Sequence, residues 1–492
     1  MSISFAQIPS RVLVPGVYTE ANWSRASSST PELPRRMVVI GQKLTAGATA
    51  NGAAFRASSE AEIDRCAGAG SMLSEALKVA KAANRFIELW GIVCADGTSA
   101  TSASCTVTVS VTTAVAGSFS LYVAPYWVGP ALRGRYTVAV TAGQAAASIA
   151  TAIAAAVNAD AFRSVNAAAV GAVVTLTARH VGLAANGVAV THSYFDGEYL
   201  PSGVTLAITA MAGGTVNPDV APAIAAMGDA HTSHLVVPYT DTTTLTACET
   251  EMVRRWGAMV QRECHLFTGA SGSLSTLATL GDGRNSPFHS LFGGGYSPTP
   301  PWILSAMLAA VDSLEPHPGR PLRGRPLDAM VAPRAGQEFT GDERTQLLAE
   351  GVSTFLVMGG KCYLEREVTT YQTDINGNAD SLFRDRQVVG LAAAIRYDWR
   401  TFIGSKYPDY MHAADGTAYS PGLAIITPST MRAEFSGRAR NVWAYSQGWI
   451  EDTDQFDEDI VIERTEDGMD LIGAPNLINR MHVIKTRLDF IR

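Results

Sequence analysis

Several groups of residues in this chain could do chemistry, and each lacks a member that its chemistry requires. His231-Thr232-Ser233-His234 sets two imidazoles close together, but a zinc site needs a third ligand, and His234 opens an apolar run. In Glu263-Cys264-His265 a nucleophile and a base are neighbours, yet adjacent residues of a strand point to opposite faces. Gly269-Ala270-Ser271-Gly272-Ser273 approximates a nucleophile elbow, with Ser273 standing where the final glycine must be. Asp374-Ile375-Asn376-Gly377-Asn378-Ala379-Asp380 is loosely like a calcium loop. Its glycine is at the fourth position and no distal glutamate follows, so it reads as a hairpin turn between two strands. The glycine clusters Gly281-Asp282-Gly283 and Gly293-Gly294-Gly295 lack the lysine and hydroxyl of a phosphate cradle. The expectation is no catalytic residue, no cofactor and no metal ligand.

Composition narrows the classes further. A net charge of -7 over 492 residues argues against a dedicated nucleic-acid binder. The loop Arg320-Pro321-Leu322-Arg323-Gly324-Arg325 is basic but carries no aromatic residues to stack bases, and reads as a solvated loop or protein interface. Six scattered cysteines (Cys66, Cys94, Cys105, Cys248, Cys264 and Cys362) form neither a disulfide framework nor a zinc pattern, which suits a reducing compartment. No signal peptide opens the chain, and no apolar stretch is long enough for a bilayer, so the product reads as soluble and intracellular, without membrane contact.

The elements that would position any site are legible from periodicity. Residues 95–215 hold only eight charged side chains, whereas the whole chain is 17% charged. Within them 106–112, 118–123 and 173–178 alternate as strands, and Ile149, Ile153 and Val157 stripe a helix over 144–158. This predicts an inserted β-rich module with its own core, projecting outward. Its aromatic residues Tyr122, Tyr126, Trp127 and Tyr136 would suit a surface-binding role or simple packing.

Beyond the insertion the pattern becomes α/β. Strands are expected at 234–239, 264–267, 354–358 and 362–372, and helices at 245–260, 273–280, 301–314 and 343–350. The acidic run 451–459 reads as a solvated turn, and Asp467-Gly468 as a hairpin turn between 459–464 and 469–472. The expected fold is mixed α/β and α+β, a multidomain core with crossover helices, a β-rich insertion and extended terminal β-arms. The expected divisions are an N-terminal arm 1–36, a first core part 37–94, the insertion 95–215, an α/β core 216–385, a C-terminal domain 386–479 and a terminal strand 480–492.

Both chain ends are strand-patterned without a local partner. Ile484-Lys485-Thr486-Arg487-Leu488-Asp489-Phe490 alternates at a period of two, and Arg11-Val12-Leu13-Val14-Pro15-Gly16-Val17-Tyr18 is equally strand-like. Unpaired edges invite a strand from another chain. Burying three or four apolar side chains of one arm gains roughly 5–10 kcal/mol. Ordering seven residues costs roughly 7–14 kcal/mol. Each arm is therefore near balance until a neighbour supplies ladder bonds. The expected interface strands carry Val14, Val17, Tyr18, Ile484, Thr486, Leu488 and Phe490.

A long ordered series of segments resembles the contractile tail sheath proteins of Mu-like phages. It begins with Val14-Pro15-Gly16-Val17-Tyr18 and Met37-Val38-Val39-Ile40-Gly41-Gln42-Lys43. It continues through His234-Leu235-Val236-Val237-Pro238-Tyr239-Thr240-Asp241, Ser297-Pro298-Thr299-Pro300-Pro301-Trp302 and Glu365-Arg366-Glu367-Val368-Thr369-Thr370-Tyr371-Gln372-Thr373-Asp374. Lys406-Tyr407-Pro408, Ala414-Asp415-Gly416-Thr417 and Ile462-Glu463-Arg464 extend it nearly to the end, leaving out the charge-poor module.

The resemblance implies a structural protein of the virion tail, assembled in the host cytoplasm. It implies self-association as six-fold rings in a helical polymer around a tail tube protein, with baseplate and tail terminator proteins at the ends. It also implies no direct nucleic-acid contact, and shortening by rigid-body rearrangement of subunits tied by exchanged strands, which serves genome ejection. Tailocin and secretion-type sheaths share these features. From another class, an α/β hydrolase-like enzyme would need convergent polar groups at the strand ends near 235–239.

Overall fold

Four consecutive apolar residues, Met37-Val38-Val39-Ile40, are buried on both faces of their strand, the mark of a central parallel strand under two layers. The computed structural model describes Thr19 and residues 33–124, 133–420 and 422–487. Val14, Val17, Tyr18, Tyr126, Trp127, Leu488 and Phe490 lie outside the described residues.

Along the chain β1 (Arg36–Gln42) and β2 (Ala54–Arg56) are followed by α1 (Glu60–Ala67), α2 (Met72–Ala83) and β3 (Glu88–Cys94). Ser59 and Ser71 cap the two helices by accepting backbone N–H groups that the first turn leaves unpaired. The charge-poor stretch then forms β4 (Ser102–Val111), β5 (Gly117–Val123), β6 (Arg135–Val140), α3 (Ala146–Ala159), β7 (Val165–Val170), β8 (Val173–Val181), β9 (Val190–His192) and β10 (Val204–Ile208).

The main sheet resumes with α4 (Ala221–Ala226), β11 (His234–Val236), α5 (Thr242–Trp256), β12 (His265–Ala270), α6 (Leu274–Asp282), β13 (His289–Gly293) and α7 (Pro301–Leu314). It closes with α8 (Gly341–Ala349), β14 (Val352–Met358) and β15 (Lys361–Arg366), after which α9 (Arg386–Lys406) begins.

The eight-stranded sheet runs β15-β14-β13-β12-β11-β1-β3-β2. Its six inner strands are parallel, and each edge strand is antiparallel to its neighbour. Because β3 lies on one side of β1 and β11 on the other, the winding reverses at β1. α7 is apolar nearly all round and buried nearly all round, with α2 packed beside it. It lies close on β12 because residue 269 is glycine: a Cβ there would be 2.7 Å from that of Leu304.

The inserted stretch folds as a four-stranded sheet, β10-β4-β8-β7, and a three-stranded one, β6-β5-β9, around α3. Its interior is not separate from the main one. Val107, Val109, Ile149, Ile153 and Leu176 belong to the same continuous apolar cluster as Met37, Met72 and Trp302. The joint is also polar: the Met72 N–H donates to Nε2 of buried His180 at 2.8 Å, and the Tyr194 hydroxyl donates to the carbonyl of Ala332 at 2.7 Å. The module therefore shares its apolar interior with α2 and α7, which a reading of an insertion with its own core did not anticipate.

Other expectations shift for local reasons. β11 stops at Val236 because Pro238 has no N–H for the ladder. The helix expected to 260 ends at Trp256, before Gly257. The strand expected over 362–372 ends at Arg366, and the chain turns inward so that the Thr370 N–H reaches the carbonyl of His289. Residues 374–380 form a turn closed by one isolated Thr373–Ala379 bridge rather than lying between two strands. The acidic run is a helix, Thr453–Asp459, with Asp452 as its N-cap.

By contact the chain forms two units. Among the described residues, one is Pro34–Ala393 with residues 479–487, and the other holds Ala394–Ile478. The second unit centres on an aromatic cluster of Trp399, Phe435, Trp443 and Phe456. Within it the helix Pro428–Arg438 runs on into a π-helical turn, Ala439–Ser446, and buried Asp398 accepts from Arg438 and from the Trp443 indole.

Candidate assembly interface

The strand ends where an enzyme of this topology would hold a ligand are occupied by the protein itself. In doubly wound sheets that place is the crevice at the C-terminal ends of the strands beside the winding reversal. Here Gln42, buried at the end of β1, donates to Asp96 at 2.7 Å and to the carbonyl of Val181 at 3.0 Å. Asn217 donates to Asp241 at 2.7 Å beside it, and the hydroxyl of buried Tyr239 reaches Gln42 at 3.4 Å. The root of the insertion fills the crevice.

The other chemical candidates are committed to structure. Cys264 is buried, and burial pushes its thiol up to about 12, far from a thiolate at neutral pH. His234 is stacked on Phe267 and held between Ser233 and Asp312, the latter at 2.9 Å. Burial favours its neutral form. Ser273 caps α6, and the Asp374 carboxylate accepts the backbone N–H groups of Asn376 and Asn378. Among the described residues no group of three or more His, Cys, Asp or Glu could hold a metal ion, and no helix is long and apolar enough to cross a membrane.

What the surface offers instead is unpaired backbone. The outer edge of β15 is closed by residues 324–327, where Gly324 and Leu327 donate to Leu364 and Cys362 and Arg325 accepts from Leu364. At the opposite edge β2 is only three residues long. Short or covered edges of this kind resist pairing with another sheet.

Two segments are different. The hairpin Val461–Arg464 with Met469–Ile472 forms a sheet of two strands only. Ile462 and Leu471 are opposite each other on its half-buried face. Val461 is opposite Ile472 and Glu463 opposite Asp470 on the exposed face. Two like charges set across a ladder weaken it, and a lone two-stranded ribbon is marginal in water.

The second segment is the C-terminal stretch. Ile484 and Thr486, expected on an interface strand, lie here in a segment with no regular secondary structure, both exposed. Just before them, over residues 480–483, polar and apolar side chains alternate between inward and outward. The side chains of Arg480 and His482 are only 12% and 14% exposed and face Asp385, at 3.6 and 3.4 Å. Met481, Val483 and Ile484 are 74%, 69% and 72% exposed. Burial alone would raise the Asp385 pKa, but His482 and Arg366 outweigh it and hold the carboxyl below its ordinary range. Sequence reasoning placed the start of the arm at residue 480 but missed this anchor.

Residues 213–370 match the family model described as the phage tail sheath protein central domain. The Mu-like prophage FluMu tail sheath protein of Haemophilus influenzae (strain ATCC 51907 / DSM 11121 / KW20 / Rd) is 31% identical over 497 residues, covering all of both chains. Among solved structures, a sheath tail protein of Desulfitobacterium hafniense aligns over 94% of this chain and 100% of its own at 13% identity and a TM-score of 0.46. One from Listeria innocua aligns over 92% and 93% at 12% identity and the same TM-score. On the full-length match, this chain belongs to the phage tail sheath protein family and is a structural protein of the virion tail.

Proposed function

We propose that the chain polymerises as stacked six-fold rings around a tail tube and shortens by rigid-body rearrangement of subunits that remain linked by exchanged β-strands. The C-terminal segment of one copy, from Ile484 through Phe490, adds to the hairpin 461–472 of another. Val14, Val17 and Tyr18 are the corresponding N-terminal contribution. Tail tube, baseplate and terminator proteins are the remaining partners in this reading, and the inserted module lies on the outside.

The observation that carries the proposal is the exposed run Met481, Val483 and Ile484 beside Arg480 and His482, whose side chains face Asp385. A segment that turns Arg480 and His482 toward a carboxylate and leaves three apolar neighbours in water is suited to a partner. The hairpin complements it on both faces. Ile484, Leu488 and Phe490 would continue the face of Ile462 and Leu471, while Lys485 and Arg487 would continue the face of Glu463 and Asp470. Two cations beside the opposed carboxylates would relieve a repulsion that the isolated hairpin retains. An added strand brings a row of ladder bonds, and the open edge of a hairpin is the usual acceptor for one. Stacking that does not close on itself produces a helix rather than a single ring.

Charge exchange tests this directly. Lys485→Glu with Arg487→Glu leaves a folded chain that forms no tubes visible by negative-stain microscopy. Adding Glu463→Lys and Asp470→Lys restores them. Tubes formed in normal yield by the first variant would refute strand addition at this hairpin.

A further inference from the structure

The roots of the two arms, more than four hundred residues apart in sequence, meet at one small polar constellation. Arg35, the residue before β1, spreads its guanidinium over the carbonyls that end α7. Nη1 donates to Ser313 at 2.9 Å and Glu315 at 2.7 Å, and Nη2 donates to Pro316 at 2.8 Å. The last turn of α7 also holds Asp312, which accepts from Arg386 at 3.2 Å. The preceding residue, Asp385, accepts from Arg366 at 2.8 and 3.0 Å and faces Arg480 and His482. Arg323, on the connector after α7, donates to the His482 carbonyl at 3.4 Å.

We propose that this constellation is a clamp that fixes the two arm roots relative to each other. It rests on the strand-exchange reading above for its purpose, though not for its existence. If neighbours hold both arms, a pull on one enters at Arg35 and leaves at Arg480 through the end of α7, Asp312, Arg386 and Asp385. The path crosses a few charge-assisted contacts and two short stretches of backbone, and bypasses the hydrogen-bond ladder of the central sheet. Guanidinium chemistry suits such a clamp, because contacts from one planar cation to several acceptors are directional, and strong where partly screened from water. An apolar contact would resist separation but not rotation. The clamp also explains why Arg480 and His482 face inward at the root of the C-terminal segment while Met481 and Val483 face outward.

The test uses the full-length unassembled chain. The six native cysteines are buried, so nitroxide labels go to Pro34→Cys and Val483→Cys, one at each root. Pulsed electron spin resonance then gives the distribution of distances between them. The parent gives one narrow distribution. Asp385→Asn and, separately, Arg35→Met each broaden it at least twofold while the circular dichroism spectrum is unchanged. Arg480→Gln, which alters only the arm side of the contact, gives the same broadening and covers the case in which Asp385→Asn does not fold. A width unchanged in either the Arg35 variant or the Asp385 (or Arg480) variant overturns the clamp. Failure of strand exchange would appear instead in the Lys485 and Arg487 charge-reversal experiment, which reads tubes and not spin distances.

Discussion

Mild acid should loosen the joint between the inserted module and the main sheet, through His180. Nε2 of this buried imidazole accepts the Met72 N–H at 2.8 Å, a helix-start donor with no partner inside α2. Protonation would set an N–H against an N–H and place a charge beside Trp302, whose ring centroid is 6.3 Å away. Burial, with a smaller contribution from Arg179, lowers the His180 pKa from 6.5 to about 4. Between those values the unfolded chain binds more protons than the folded one, so stability falls as pH falls through that window. Taking 6.5 and about 4 as the two values, the loss between pH 7.5 and pH 5 is about 2 kcal/mol. His234 and His265 are shifted in the same direction by burial, so the parent protein alone cannot isolate His180. The assay therefore compares urea unfolding of parent and His180→Gln at both pH values, because glutamine keeps an acceptor and does not titrate. The variant should lose about 2 kcal/mol less than the parent on acidification. Equal losses would show that His180 is not held neutral at this joint.

Three further outcomes follow from the packing. Asp398→Ala should destabilise the unit of residues 394–478 by about 3–5 kcal/mol, read by chemical denaturation, because it strands the buried Arg438 guanidinium and the Trp443 indole. Replacing residues 95–215 with a short Gly/Ser linker should give insoluble or molten protein rather than a smaller sheath subunit, since it uncovers Met72 and Trp302; a soluble, cooperatively melting product would refute this. Gly203→Ala should cost several times more than Gly171→Ala in thermal unfolding. Both have positive φ, but a Cβ at residue 203 would lie 1.9 Å from the Thr113 carbonyl oxygen, and one at residue 171 meets nothing.

The parts of this fold that were legible in the sequence are those set by local pattern. The helix at Pro301–Leu314 matched its predicted bounds, and Asp467-Gly468 marked the turn of the hairpin. What stayed hidden depends on residues far apart in the chain. Nothing near His180 reveals that Met72 will need its lone pair, and nothing near residue 480 reveals Asp385. A period of two establishes that successive side chains face opposite ways, but not which way is inward; that choice belongs to whatever lies on each side. At the C-terminal segment the usual rule, apolar in and charged out, predicts the wrong sense within one subunit. Arg480 and His482 turn in because a carboxylate is there to receive them, and Met481 and Val483 then have no place but outside. An arrangement that leaves apolar side chains in water to satisfy an ion pair is unfavourable for a chain meant to remain alone. It becomes favourable once the outward face is covered, as the strand-exchange proposal requires.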